Sequence, residues 1–90
     1  MSTLSSPEIR RFGQKLQFLR QRQGLTLKGL AASLGYSAHG YISELEMGKK
    51  IPTVEFVLSA ARLFNVTTDE LLKDEMELPQ TAAETKEAKI

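Results

Sequence analysis

The chain has 90 residues, twelve Lys or Arg against eleven Asp or Glu, a formal charge of +1 and 41% apolar residues, which is the profile of one small globular domain. It has no cysteine, which excludes a disulfide framework, a thiolate metal site and a cysteine nucleophile. No apolar run approaches the roughly 20 residues of a membrane helix and no signal-peptide core opens the chain, so a cytoplasmic location is expected.

Residues 1–6 are polar and read as a flexible N-terminus. Pro7, with Glu8 beside it, is expected to open the first helix, since proline suits a first helical turn and an acid suits its dipole. Ile9, Phe12, Leu16 and Leu19 form its apolar face, with Phe18 as a further candidate. Arg10, Arg11, Lys15, Arg20 and Arg22 are assigned to its other sides, and Gly24 closes it.

Thr26 is the expected N-cap of a second helix. Position 29, where a capping box would carry Glu or Gln, is glycine, so that cap is incomplete. Leu27, Leu30, Ala31 and Leu34 recur at i, i+3, i+4 and i+7, one apolar face. Gly35 follows as the left-handed residue that ends the helix. Ser37 is read as the N-cap of a third helix, anchored by Ile42 and Leu45 and ended by Gly48. Two short helices joined by a glycine turn make a helix-turn-helix.

Thr53 caps a fourth helix whose face is read as Val54, Val57, Leu58, Ala61 and either Leu63 or Phe64. Asn65 can take the left-handed position at its end. Thr67 opens a fifth helix with a complete capping box to Glu70, and Leu71, Leu72 and Met76 are its apolar residues. The result is an all-α, five-helix bundle over residues 7–78. Residues 79–90 have good helix formers but almost nothing to bury, and form a weakly ordered tail that is helical only if a partner holds it.

The third helix spends few residues on the core. Small and hydrogen-bonding side chains on an exposed helix, with Lys49 and Lys50 just beyond it, suit a DNA major groove. The competing reading is a solvated helix in a bundle that binds nothing. Charge distribution favours the first. Residues 1–72 carry a net +3 and residues 73–90 a net −2, so the C-terminal part from residue 73 masks a basic excess around the helix-turn-helix.

From Leu16 to Leu72 the chain resembles the XRE family, the Cro and phage-repressor type of domain. The residues that carry the resemblance begin with Leu16-x-x-Leu19-Arg20, Gly24-Leu25-Thr26 and Leu30-Ala31-x-x-Leu34-Gly35. Tyr41-Ile42-Ser43-x-Leu45-Glu46-x-Gly48-Lys49-Lys50-x-Pro52 and the run LFNVTTDELL from Leu63 to Leu72 complete it. The resemblance implies a bundle of the lambda-repressor-like type. It implies packing roles for Ala31, Gly35 and Ile42, and a pairing of Arg20 with Glu46 that fixes the first helix against the third.

The resemblance further implies that base edges are met by Ser37, Ala38, His39, Gly40, Tyr41, Ser43 and Glu44. His39 can donate or accept, Tyr41 offers a ring to a thymine methyl, and Glu44 can accept from a cytosine amino group. Glu44 can equally be a solvated charge or an arginine partner. Phosphate contacts fall to Lys49 and Lys50, and to Thr26 and Lys28 at the start of the second helix. Three departures stand out. Leu27 replaces the glutamine that often follows the cap, the turn from Gly35 to Ile42 is one residue longer than usual, and Gly40 lies inside the third helix. The longer turn leaves the register of Ser37, Ala38 and His39 open.

The expected function is a sequence-specific, double-stranded DNA-binding transcriptional regulator. One module has a small footprint, so a homodimer on a palindromic operator is expected, with Leu71, Leu72, Met76 and Leu78 as interface candidates. An antitoxin, a restriction-modification controller or a protein-interaction module using the same bundle and tail are the alternatives. An enzyme is not expected, nor a metal or cofactor. There is one histidine and no phosphate loop, and Glu44 and Glu46, two apart, face different sides of a helix.

Overall fold

The computed structural model describes residues 9–79. The N-terminal segment 1–6, Pro7, Glu8 and the tail from Gln80 onward lie outside the described residues. Five helices follow in order: α1 Phe12–Arg22, α2 Leu27–Ser33, α3 Gly40–Glu46, α4 Val54–Phe64 and α5 Thr68–Leu72. Among the described residues there is no strand, and no helix is long and apolar enough to cross a membrane.

Three of the five starts are written locally. The Thr26, Thr53 and Thr67 hydroxyls accept from the backbone N–H of Gly29, Phe56 and Glu70 at 2.9, 3.1 and 2.9 Å. Glu70 returns the contact by accepting from Thr67 N–H at 2.9 Å, so the capping box is complete. The ends are local too. After α2, Gly35 at φ +86 lets Tyr36 N–H donate to the Ala31 carbonyl at 2.8 Å, the six-to-one bond of a Schellman turn. Asn65, at φ +58, is the left-handed residue that ends α4.

The start of α1 differs from the sequence reading. The helix begins at Phe12, after a turn through Ile9, Arg10 and Arg11, and no neighbouring side chain caps it. The cap comes from Asp74, 63 residues on, whose carboxylate accepts from Arg11 N–H at 2.7 Å and Arg10 N–H at 3.1 Å. A carboxylate on the free N–H groups satisfies the donors and the dipole together.

The core joins Phe12, Leu16 and Leu19 of α1 to Leu30 and Ala31, Ile42 and Leu45, and Leu71. The buried face of α4 is rotated from the one expected: Phe56, Val57, Ala60, Ala61 and Phe64 point inward, whereas Val54 is 83% and Leu58 42% exposed. The two stripes share Val57, Ala61 and, of the two residues offered for the end of the face, Phe64. What separates them is Phe56, whose ring packs edge-on against Phe12, Tyr36 and Tyr41 in the core, so the stripe that carries it is the one buried. Phe18 is likewise half exposed, with the Arg22 guanidinium 5.0 Å from its ring centre.

Lys15 is the largest departure. Assigned to the outer surface, it is instead 3% exposed. It lies three residues from Phe12, within the buried stripe, and its ammonium donates to the carbonyls of Glu70, Lys73 and Met76 at 2.6, 2.6 and 2.7 Å. A lysine has three N–H donors and no acceptor, which matches the Glu70 carbonyl of α5 and the Lys73 and Met76 carbonyls beyond its end, of which Lys73 also accepts from Met76 N–H at 3.1 Å. Burial lowers the pKa of this ammonium, Arg11 lowers it further, and Asp74, Glu77 and Glu75 act against them.

Candidate nucleic-acid interface

The third helix is held by its inner side. Ile42 and Leu45 are buried, and Glu46 accepts from both Nε and Nη2 of Arg20 at 2.7 and 3.1 Å. Arg20 also donates through Nη1 to the Leu25 carbonyl at 2.9 Å, tying together α1, the α1–α2 turn and α3. The pair is sheltered, with side-chain exposures of 11% and 5%. Such fork-on-carboxylate geometry fixes orientation as well as distance.

Gly13 sets how closely α1 meets α3, a feature the sequence reading missed. A Cβ at this position would stand 2.5 Å from the Leu45 carbonyl oxygen and 2.6 Å from that of Glu46. Only hydrogen fits there. The position can be found in sequence only as a glycine in a helical pattern with no turn to explain it.

The outer side of this region carries the expected contact residues. Ser37, Ala38, His39 and Gly40 are exposed, while Tyr41, Ser43 and Glu44 are half-buried. Ser37 is not the N-cap. The helix starts three residues later at Gly40, with His39 at the cap position and no side-chain cap bond. Ser37 and Ala38 therefore belong to the turn between the helices, and Gly40 is the first residue of α3 rather than an interior one. The extra turn residue explains the shift: helical geometry begins where Ile42 and Leu45 can both reach the core.

Tyr41 has a packing role that the sequence reading did not assign. Its ring stacks on Tyr36 at 5.5 Å between centres and 20° between planes, and meets Phe56 edge-on at 5.5 Å. Its hydroxyl accepts from Thr53 N–H at 3.4 Å, at the head of α4. Tyr36 is edge-on to Phe56 as well, at 5.8 Å, and burial raises its hydroxyl pKa, with Tyr41 and Glu55 adding to the shift. These aromatic contacts brace the turn and the first residues of α3 against α4.

Beyond α3, Gly48 at φ +78 turns the chain back, and Lys49 N–H donates to the Glu44 carbonyl at 2.8 Å. That brings the Lys50 ammonium to 3.3 Å from the Glu44 carboxylate and 6.0 Å from the centre of the Tyr41 ring. Glu44 thus pairs with a lysine rather than an arginine. Thr26 and Lys28 are exposed at the start of α2. The Thr26 oxygen accepts the cap bond, leaving its own O–H free to donate to a phosphate.

The four interface candidates are placed unequally. Leu71 is fully buried in the protomer's own core, because the short α5 must bury its main apolar residue against α1 and α4 to hold its place. It has no surface for a second copy. Leu72, Met76 and Leu78 are half-buried, and Leu78 lines a groove of about 460 Å³ between α1 and residues 77–79.

A family model described as helix-turn-helix matches residues 16–71. The HTH-type transcriptional activator BcrR of Enterococcus faecalis is 42% identical over 64 residues, which make up 71% of this chain and 31% of BcrR. The chain therefore spans about a third of that relative. The uncharacterized HTH-type transcriptional regulator YazB of Bacillus subtilis is 31% identical over 64 residues, 71% of this chain and 91% of YazB. Among solved structures, the N-terminal DNA-binding domain of SinR from Bacillus subtilis is similar at a TM-score of 0.67 and 26% identity, covering 76% of this chain and 99% of that domain.

Proposed function

We propose that this chain, which belongs to the XRE-type helix-turn-helix family, is a sequence-specific regulator that reads a palindromic operator in double-stranded DNA as a homodimer. The observation that carries this reading is the division of labour in α3. Ile42, Leu45 and Glu46 hold it from within, while Ser37, Ala38, His39 and Gly40 stand exposed at its head, with Lys49 and Lys50 at its foot. In this reading those four residues, with Tyr41, Ser43 and Glu44, meet the base edges. Thr26, Lys28, Lys49 and Lys50 meet phosphates.

Two copies with half-sites about 34 Å apart would double the small footprint of one module. Leu72, Met76 and Leu78, each with surface left over from intramolecular packing, are the proposed dimer contacts. A Met76→Asp variant that folds but keeps the solution mass of the wild type would remove that surface from consideration.

The DNA reading itself is tested by fluorescence anisotropy on a random-sequence duplex over a salt series. Counterion release predicts binding that falls steeply with salt, and Lys49→Gln, present in both copies of the dimer, should flatten the slope of log K against log salt by about 1.8. Binding that ignores salt, or no binding at low salt, would leave the protein-interaction reading in its place.

A further inference from the structure

We propose that Glu44 is a specificity-determining residue that withholds Lys50 from the DNA backbone until a matching base edge engages its carboxylate. The inference rests on the DNA reading above and deepens it. Three observations meet at this point. The Glu44 carboxylate and the Lys50 ammonium are 3.3 Å apart, at side-chain exposures of 42% and 54%. The turn at Gly48 and the Lys49 N–H bond to the Glu44 carbonyl fix the backbone that brings them together. The Tyr41 ring, immobilised on Tyr36 and Phe56, bounds the space that the Lys50 ammonium occupies.

An ion pair this exposed is weak, because water screens it and two side chains must be ordered to hold it. A phosphate can therefore compete for Lys50. Competition has a consequence that depends on sequence. If Lys50 leaves for a phosphate, Glu44 is left as an unpaired carboxylate facing the groove and the surrounding negative charge. Opposite a cytosine amino group, that carboxylate gains a hydrogen-bond donor and the exchange is favourable. Opposite an acceptor such as a guanine O6 or thymine O4, it is repelled, so Lys50 stays with Glu44 and one phosphate contact is forgone. A backbone contact, which by itself carries no sequence information, becomes conditional on the base read next to it.

The experiment compares wild type, Glu44→Gln, Lys50→Gln and the double variant. Each is titrated against a random-sequence duplex and against the best site selected by the wild type, over a salt series. Both side chains are solvent-accessible, so all four proteins should melt within a few degrees of one another. Glu44→Gln should bind the random duplex roughly three- to ten-fold more tightly near 0.1 M salt, with a salt slope steeper by about 1.8 as Lys50 of each copy joins the phosphate contacts. Its preference for the selected site over random sequence should fall at least as much. In the Lys50→Gln background the same substitution should change random-duplex affinity less than about two-fold and leave the slope as it was.

An unchanged slope in Glu44→Gln overturns the inference, as does an equal effect in the Lys50→Gln background, which would mean simple removal of a negative charge. So does a loss of affinity for the selected site with no gain for random sequence, which would make Glu44 a base reader only. If the wild type binds no duplex at all, the DNA reading falls and this inference with it. Each of the other three outcomes removes this inference alone.

Discussion

The Lys15 ammonium of α1 lies 2.6 Å from the Glu70 carbonyl of α5, and the same nitrogen holds the Lys73 and Met76 carbonyls. One buried cation thus ends the last helix and pins the segment after it along the first. Asp74 in that segment caps α1 in return, and its own carbonyl accepts from Arg11 Nη1 at 2.6 Å. The two ends of the described chain are locked by reciprocal use of free backbone groups.

Lys15→Met keeps much of the apolar stem and removes the three donors. The Lys73 carbonyl keeps the Met76 N–H at 3.1 Å, so the Glu70 and Met76 carbonyls are the ones that lose their donor, at about 1–3 kcal/mol each when they stay dry. A loss of about 2–4 kcal/mol is expected. A domain of this size should show it as a fall in melting temperature of roughly 10–25 °C by circular dichroism. A variant as stable as wild type would show that the buried ammonium contributes nothing net.

Gly13→Ala should move stability in the direction opposite to helix propensity. At an ordinary helical site the change gains about 1 kcal/mol. Here the new methyl meets the Leu45 and Glu46 carbonyls at 2.5 and 2.6 Å, so α1 and α3 must part. A net loss of about 1–3 kcal/mol is expected, of the size overpacking causes elsewhere. Denaturant unfolding decides the sign.

The Arg20–Glu46 pair should behave as a sheltered ion pair does. Removing either partner alone leaves a charge with little access to water and is expected to cost about 3–5 kcal/mol. Replacing both, as in Arg20→Met with Glu46→Leu, should cost less than either single change. A double-mutant cycle in urea tests this, and additive losses would contradict it.

Glu77 gives a pH signature. Hydrogen bonding to Arg11 holds its carboxyl below the ordinary value of 4.5, with the charge of Arg11 adding to the effect. A depressed folded pKa means that its contribution to stability is present above 4.5 and is lost as pH falls through the lower folded value. NMR titration should find the Glu77 midpoint below 4.5 in the wild type and closer to it in Arg11→Gln. A midpoint that Arg11→Gln leaves unmoved would show that the 3.3 Å pair does not persist in solution.

How legible each feature was depends on how far its cause lies along the chain. The caps at Thr26, Thr53 and Thr67 are set by partners three residues away, so sequence spacing found them. The Arg20–Glu46 pair, 26 residues apart, was reached only through the family resemblance. The Asp74 cap on α1 was not reached at all, because nothing near position 10 points to an acid 63 residues on. Lys15 was misplaced because a periodicity argument sends every charge outward, although its spacing from Phe12 put it inside the stripe. Val54 and Phe56 head overlapping stripes in α4, and only the packed core decides between them. At the candidate interface, spacing and resemblance pointed to His39, Lys49 and Lys50, which are exposed, but the longer turn hid where α3 begins. The bracing of Tyr41 by Tyr36 needed three dimensions.

The central claim is that the exposed head of α3 reads base sequence. It is tested most directly by selecting bound duplexes from a randomised pool with wild type and His39→Ala, then sequencing them. The account predicts a palindromic enriched site for the wild type, and an altered base preference at the same positions of both half-sites for the variant. Retention of the same preferred bases by His39→Ala, and equally by Ser37→Ala and Ser43→Ala, would contradict it, as would a wild type that enriches no sequence.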